Sequence, residues 1–163
     1  MSKLKYLEKS TKEQYVNDWK EKIKLISKLN YYKVIRKDYN LAPYLIQIKN
    51  YHQRKLLTKY RLSDHNLAIE KGRHRQTWVC REHRICKHCN TGEIEDEGHF
   101  LTKCTKYHNI RETYYRKIED ICPEFIHLDN EQKIPFLLGE IDTLRKLAAE
   151  YLESCHILRE ECS

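Results

Sequence analysis

Apolar residues recur at spacings of three and four through the first third of the chain. Val16, Trp19, Ile23 and Ile26 form one such stripe, which predicts a helix from about 11 to 30. Ser10-Thr11-Lys12-Glu13 in front of it has the form of a capping box, in which hydroxyl and carboxylate satisfy each other's helix-start amides. Asp38 and Asn40 followed by Pro43 predict a break and a second helix start. Tyr44, Leu45, Ile48 and Tyr51 supply the apolar side of that helix, and Leu56, Leu57 and Tyr60 extend it. Ser63 reads as the next N-cap, and Gly72 as the stop of a short helix carrying Leu67 and Ile69. From 73 to 104 the helical period is lost. It returns with Tyr107, Ile110, Tyr114, Ile118 and Ile121, and again after Gly139 with Leu144, Leu147, Ala148, Tyr151, Cys155 and Leu158. The pattern predicts a mainly α fold in three parts: a helical region over 1–78, a small irregular centre over 79–105, and amphipathic helices over 106–163.

Helices of this kind cannot organise a polar insert of that length by burial alone, so the centre needs another source of order. Cys86-Lys87-His88-Cys89 is a C-x2-C pair, followed after nine residues by His99 and after four more by Cys104. Two cysteines at this spacing fit around a tight turn, so both sulfurs can reach one ion at about 2.3 Å. Gly92 and Gly98 let the intervening chain turn back on itself. Three thiolates and an imidazole select tetrahedral Zn²⁺, and a site filled by four protein ligands leaves no place for water, so the zinc would be structural. Cys104-x3-His108 also has finger-like spacing, which leaves His108 as an alternative fourth ligand. His88 is expected to point away, and Cys80 is a reserve ligand at an unusual spacing. Cys122, Cys155 and Cys162 read as core or free thiols.

Charge then divides the chain. Residues 1–84 carry 21 Lys/Arg against 8 Asp/Glu, a balance of +13, whereas residues 85–163 carry 10 against 16. A polyanion would meet the first half. Among the first thirty residues, Lys alternates with Glu and Asp as on a solvated helix face. The densest basic tract comes later: Arg54, Lys55, Lys59, Arg61, Lys71, Arg73, His74, Arg75, Arg81, Arg84 and Lys87, directly before the metal motif. Tyr51 and Tyr60 fall near the apolar stripe and are expected in the core. Trp78, in the irregular basic stretch, is the candidate for stacking on unpaired bases. The predicted nucleic-acid contacts are Arg73, Arg75, Trp78, Arg81, Arg84 and Lys87, with RNA or DNA as partner. The acidic run Glu93 to Glu97 reads as a solvated knuckle loop with Ile94 turned inward.

The residues around the motif resemble those of a known family. The run from Arg61 to His74, the run Arg81-Glu82-His83-Arg84-Ile85-Cys86-x2-Cys89, and Glu93 through His99, Phe100 and Leu101 to Cys104 are similar to the zinc segment of non-LTR (LINE-type) retrotransposon reverse transcriptases. Tyr107, Ile110-Arg111 and Ile134-Pro135-Phe136-Leu137-Leu138-Gly139 extend the likeness, which covers roughly 45 to 160. The resemblance implies Cys86, Cys89, His99 and Cys104 as ligands in preference to His108, and a module that follows the polymerase and grips RNA or DNA. This chain departs from the family at Trp78-Val79-Cys80 and at Thr105, where proline is usual.

No catalytic machinery is expected. There is no Asp-Asp pair for two-metal polymerase chemistry, no G-x-x-x-x-G-K-[ST] phosphate loop, no G-x-G-x-x-G turn and no H-E-x-x-H helix. The absence of an apolar run of membrane-spanning length or a signal-peptide pattern leads to an intracellular expectation, nucleus or cytoplasm, where clustered cysteines favour metal over disulfides. A second hypothesis is a zinc-stapled helical adaptor. Its Leu144-to-Leu158 stripe would dock a protein partner or self-associate.

Overall fold

The computed structural model describes residues 3–161 and is mainly α-helical around a Cys/His knuckle. Helix α1 (Lys3–Leu25) is the longest. It begins earlier and ends sooner than the stripe predicted, and Ser10 and Glu13 lie inside it, so the expected capping box does not form. Its exposed faces are mixed in sign, with Lys9 3.8 Å from Glu13 and Lys24 2.6 Å from Glu21. Val16, Trp19 and Ile23 are only half-buried and Ile26 is exposed. The Trp19 and Tyr15 rings meet Tyr39, each at 5.3 Å between centroids.

After α2 (Asn30–Ile35), the chain breaks as predicted, and the expected second helix is divided into α3 (Tyr44–Gln47) and α4 (Tyr51–Arg61). Asn50 starts α4 by accepting from the amides of His52 and Gln53, the usual work of an N-cap side chain. Tyr51, the first residue of α4, is exposed rather than core, with Arg54 and Lys55 about 6 Å from its ring. Tyr60 is fully buried as expected.

Four more helices complete the chain: α5 (Ala68–Lys71), α6 (His108–Glu119), α7 (Asn130–Leu137) and α8 (Arg145–Glu160). Asp129 and Gln132 form a capping box at the start of α7. α4 packs along α8, where the Tyr60 hydroxyl meets His156 Nε2 at 3.1 Å, and α6 packs on the same helix. The core draws on all three parts of the chain: Leu57, Tyr60 and Leu67; Phe100, Leu101 and Cys104; Ile118, Leu137, Tyr151 and Cys155. The Leu144-to-Leu158 stripe, which the second hypothesis would use for docking, is therefore internal. Leu144, Ala148, Tyr151 and Cys155 are buried, and Leu147 and Leu158 pack against them. Among the described residues, no helix is long and apolar enough to cross a membrane.

Buried arginines tie the helix ends together. Arg61 donates to the carbonyls of Leu138 (2.7 Å) and Gly139 (2.6 Å), closing the C-terminus of α7 where Gly139 turns at φ +70°. Arg111 does the same for Leu101 and Cys104, at 3.2 and 2.7 Å.

Candidate metal centre

Sequence order brings the knuckle together in two pieces. The first is the loop around Cys86 and Cys89, whose return path is fixed by one antiparallel bridge between Ile85 and Ile94, with Cys86 N–H donating to Glu93 O at 2.9 Å and Glu95 N–H to Arg84 O at 2.9 Å. The second is a π-turn, His99–Lys103. Asp96 caps it by accepting from His99 N–H at 2.9 Å, and Cys104 N–H closes it on His99 O at 2.8 Å. This wider turn sets His99 and Cys104 five residues apart on one side, a use of π-geometry common at functional sites.

Cys86, Cys89, His99 and Cys104 present four ligand atoms that all lie within 4.8 Å of one another and could hold a metal ion. Cys86 Sγ is 3.9 Å from Cys104 Sγ, and Cys89 Sγ is 3.3 Å from His99 Nε2. The other ring nitrogen, Nδ1, is 3.3 Å from the Glu93 carboxylate, so His99 is oriented with Nε2 toward the sulfurs. Each sulfur also takes a hydrogen bond from the amide two residues on: His88 for Cys86, Thr91 for Cys89 and Lys106 for Cys104. Such amides favour the thiolate that binds metal. Burial pushes the Cys86 thiol up to about 11 and raises Cys104 too. At Cys89 burial acts the same way but is outweighed by the Thr91 hydroxyl and amide, and the thiol falls to about 6.

The rival ligands stand outside this quartet. His108 is exposed at the start of α6. His88 turns away, its Nδ1 3.4 Å from Lys106 Nζ. Cys80 pairs with His83 Nδ1 at 2.8 Å. Cys122 is half-buried and Cys155 fully buried, while Cys162 lies outside the described residues.

The acidic run corrects the expectation of a solvated loop. Ile94 is half-buried, but Glu95 and Glu97 are buried. Glu95 grips Arg159 of α8 through two bonds of 2.6 and 3.1 Å, and it accepts from the first amide of α5, Ala68 N–H, at 2.7 Å. Its backbone carbonyl takes the next amide, Ile69 N–H, at 3.1 Å. The knuckle thus caps α5, the part expected of Ser63. Ser63 instead sits at φ +49° and donates to Glu97, which also lies 2.9 Å from His65. Burial opposes charge on both carboxylates, yet Arg159 and His65 hold them below the usual range.

The predicted nucleic-acid contacts separate in the same way. Arg84 is buried, donating to Val79 O at 2.8 Å and Ile69 O at 2.9 Å, and is a structural residue rather than a binding one. Arg73 is half-buried against Glu70, which also pairs with Lys28. Arg75, Trp78, Arg81 and Lys87 are exposed, Trp78 at 66%, and none of the three cations forms an ion pair with a described residue. The loop that carries Arg75 and Trp78 is nonetheless pinned: Val79 N–H bonds Gly72 O, and the Thr77 hydroxyl bonds Lys71 O.

Residue type and spacing made Cys86, Cys89, His99 and Cys104 findable, whereas Glu93, Asp96 and Arg159 carried no local signal for their roles. No family model matches the sequence, no curated protein is detectably similar to it, and no solved structure matches the fold.

Proposed function

We propose that this chain is a zinc-stabilised nucleic-acid-binding module, similar to the zinc segment that follows a retrotransposon polymerase and without polymerase activity of its own. Zinc is favoured by chemistry and spacing together. Tetrahedral bond lengths of about 2.3 Å to sulfur and 2.0 Å to nitrogen place sulfurs about 3.8 Å apart and sulfur about 3.5 Å from nitrogen. The contacts in the knuckle are 3.9 and 3.3 Å. Bound there, the ion would neutralise the thiolates and link the Cys86–Cys89 loop to the π-turn. The protein fills all four positions, so the role is structural.

The observation that carries the nucleic-acid reading is the exposed, pinned loop. Arg75, Arg81 and Lys87 are solvent-facing and form no ion pair with a described residue, and Trp78, in the same pinned loop as Arg75, offers an open ring. Unneutralised cations release counterions from a phosphate backbone, and an immobilised aromatic stacks on bases whatever their sequence.

The test uses zinc-loaded Trp19→Phe protein, in which Trp78 is the sole tryptophan. Titration with uridine and thymidine 20-mers should quench its fluorescence, with affinity falling linearly against log salt. Trp78→Ala, followed by polarisation of labelled oligonucleotide, should cost about 1–3 kcal/mol. No binding of either polymer at low salt would refute the reading. A protein-docking role has one supporting observation, the exposed Leu4, Leu7 and Tyr15 of α1. Such docking would barely respond to salt.

A further inference from the structure

The loop that delivers Cys86 and Cys89 and the turn that follows Cys104 face each other across an open groove of about 580 Å³. Lys87, His88, Cys89 and Asn90 of the first, Thr105 and Lys106 of the second and Leu158 of α8 line it. No carboxylate lines this groove, and neither lysine forms an ion pair with a described residue. The nearest polar partner of Lys106 is the His88 ring at 3.4 Å. By contrast, the basic groove between α4 and α8, with His52, Lys55 and Lys59, also carries Glu160.

We infer that the groove is a phosphodiester subsite. Lys87 and Lys106 reach one backbone phosphate from opposite sides, the Asn90 amide and Thr105 hydroxyl donate hydrogen bonds to it, and Leu158 underlies the attached sugar. This rests on the nucleic-acid reading above and deepens it by extending the contact surface past the metal ligands. His88, Asn90, Thr105 and Lys106 enter the surface for the first time here. The two cations descend from the turns that the metal joins, so the metal would fix the distance between them.

The experiment measures the salt dependence of binding to uridine and thymidine 20-mers for zinc-loaded wild type and for Lys87→Gln/Lys106→Gln. Each lost phosphate contact on a single strand lowers the slope of log affinity against log salt by about 0.7, and because the two lysines share one phosphate, loss of both removes that one contact. Lys37→Gln/Lys117→Gln serves as a control for net charge, and zinc per chain is measured in every variant. The expected result is a slope lowered by about 0.7 in the groove variant, with one zinc retained and the control pair unchanged. A loss on either polymer supports the subsite and names its occupant. Wild-type binding with an unaltered slope in the groove variant, or an equal loss in the control pair, overturns the subsite and leaves the module reading standing. Should the glutamine pair lose zinc, Lys87→Arg/Lys106→Arg, which keeps both charges, must retain zinc and the wild-type slope or the inference fails. Absence of any wild-type binding removes both.

Discussion

Replacing Arg159 with methionine would remove the cation that holds a buried carboxylate at the knuckle. Arg159 is 7% exposed and Glu95 4%, and the pair is joined by bonds of 2.6 and 3.1 Å, with the Tyr107 hydroxyl 3.3 Å from the same guanidinium. Methionine fills much of the volume but leaves Glu95 with one amide donor, from Ala68, with Cys86 Sγ 3.8 Å away and with His88 Nε2 4.0 Å away. Stripping one partner from a buried pair costs about 3–5 kcal/mol, because the remaining charge stays desolvated. For a domain of this size each kcal/mol is about 2–4 °C, so melting should fall by about 6–20 °C. The loss should depend on pH in a stated direction. Arg159 holds Glu95 below its unfolded value, so the pair's contribution is present above the ordinary carboxylate range and is lost as pH falls through the folded value. The difference between wild type and variant is therefore largest at pH 7 and narrows below about pH 4. Urea titrations of both proteins at the two pH values read it, with zinc content measured at each because thiolate ligands protonate and release metal in acid, and with m checked for constancy. The double variant Glu95→Gln/Arg159→Met should recover part of the loss. An Arg159→Met protein within 1 kcal/mol of wild type at pH 7 and unchanged m would refute the reasoning.

Cys89→Ser should abolish stoichiometric metal and lower the helical circular dichroism, since the metal would hold the Cys86–Cys89 loop and the π-turn together beyond the Ile85–Ile94 bridge and the Glu93–His99 contact; a metal-free variant with wild-type helicity would contradict this. Gly72→Ala should destabilise by about 1–3 kcal/mol, because the added methyl would meet the buried Arg84 side chain at 2.6–2.9 Å; thermal melts of the two proteins decide it. Burial lowers His156 to about 4, so it stays neutral in the fold while the unfolded chain takes up a proton below about pH 6.5. Stability should then fall by up to about 3 kcal/mol from pH 6.5 to 4, and His156→Gln should flatten that slope in urea titrations.

Much of the architecture was legible as periodicity. The spacing of Tyr107, Ile110, Tyr114 and Ile118 gave α6 nearly to its ends, and that of Leu144 to Leu158 gave α8, because one apolar face per helix is what burial requires. The candidate metal quartet was legible because Cys and His are rare residue types at short separations, though spacing left His108 open as the fourth member. Charge was the misleading signal. Arg61 and Arg84 counted toward a binding tract, and Glu95 and Glu97 toward a solvated loop, because a sequence records the cost of burying a charge but not the partner that offsets it. Those partners lie far along the chain: Leu138 for Arg61, Arg159 for Glu95, and His65 for Glu97. Gly72 ends α5 as expected, but the crowding beside it is the Arg84 side chain rather than a left-handed turn. Local spacing was enough for α6, α8 and the Cys86–Cys89 pair, but not for α2, α7, the division of α3 from α4 or the choice of His99 over His108. Which cations face water and which close the core was decided only when the folded chain brought distant donors and acceptors together.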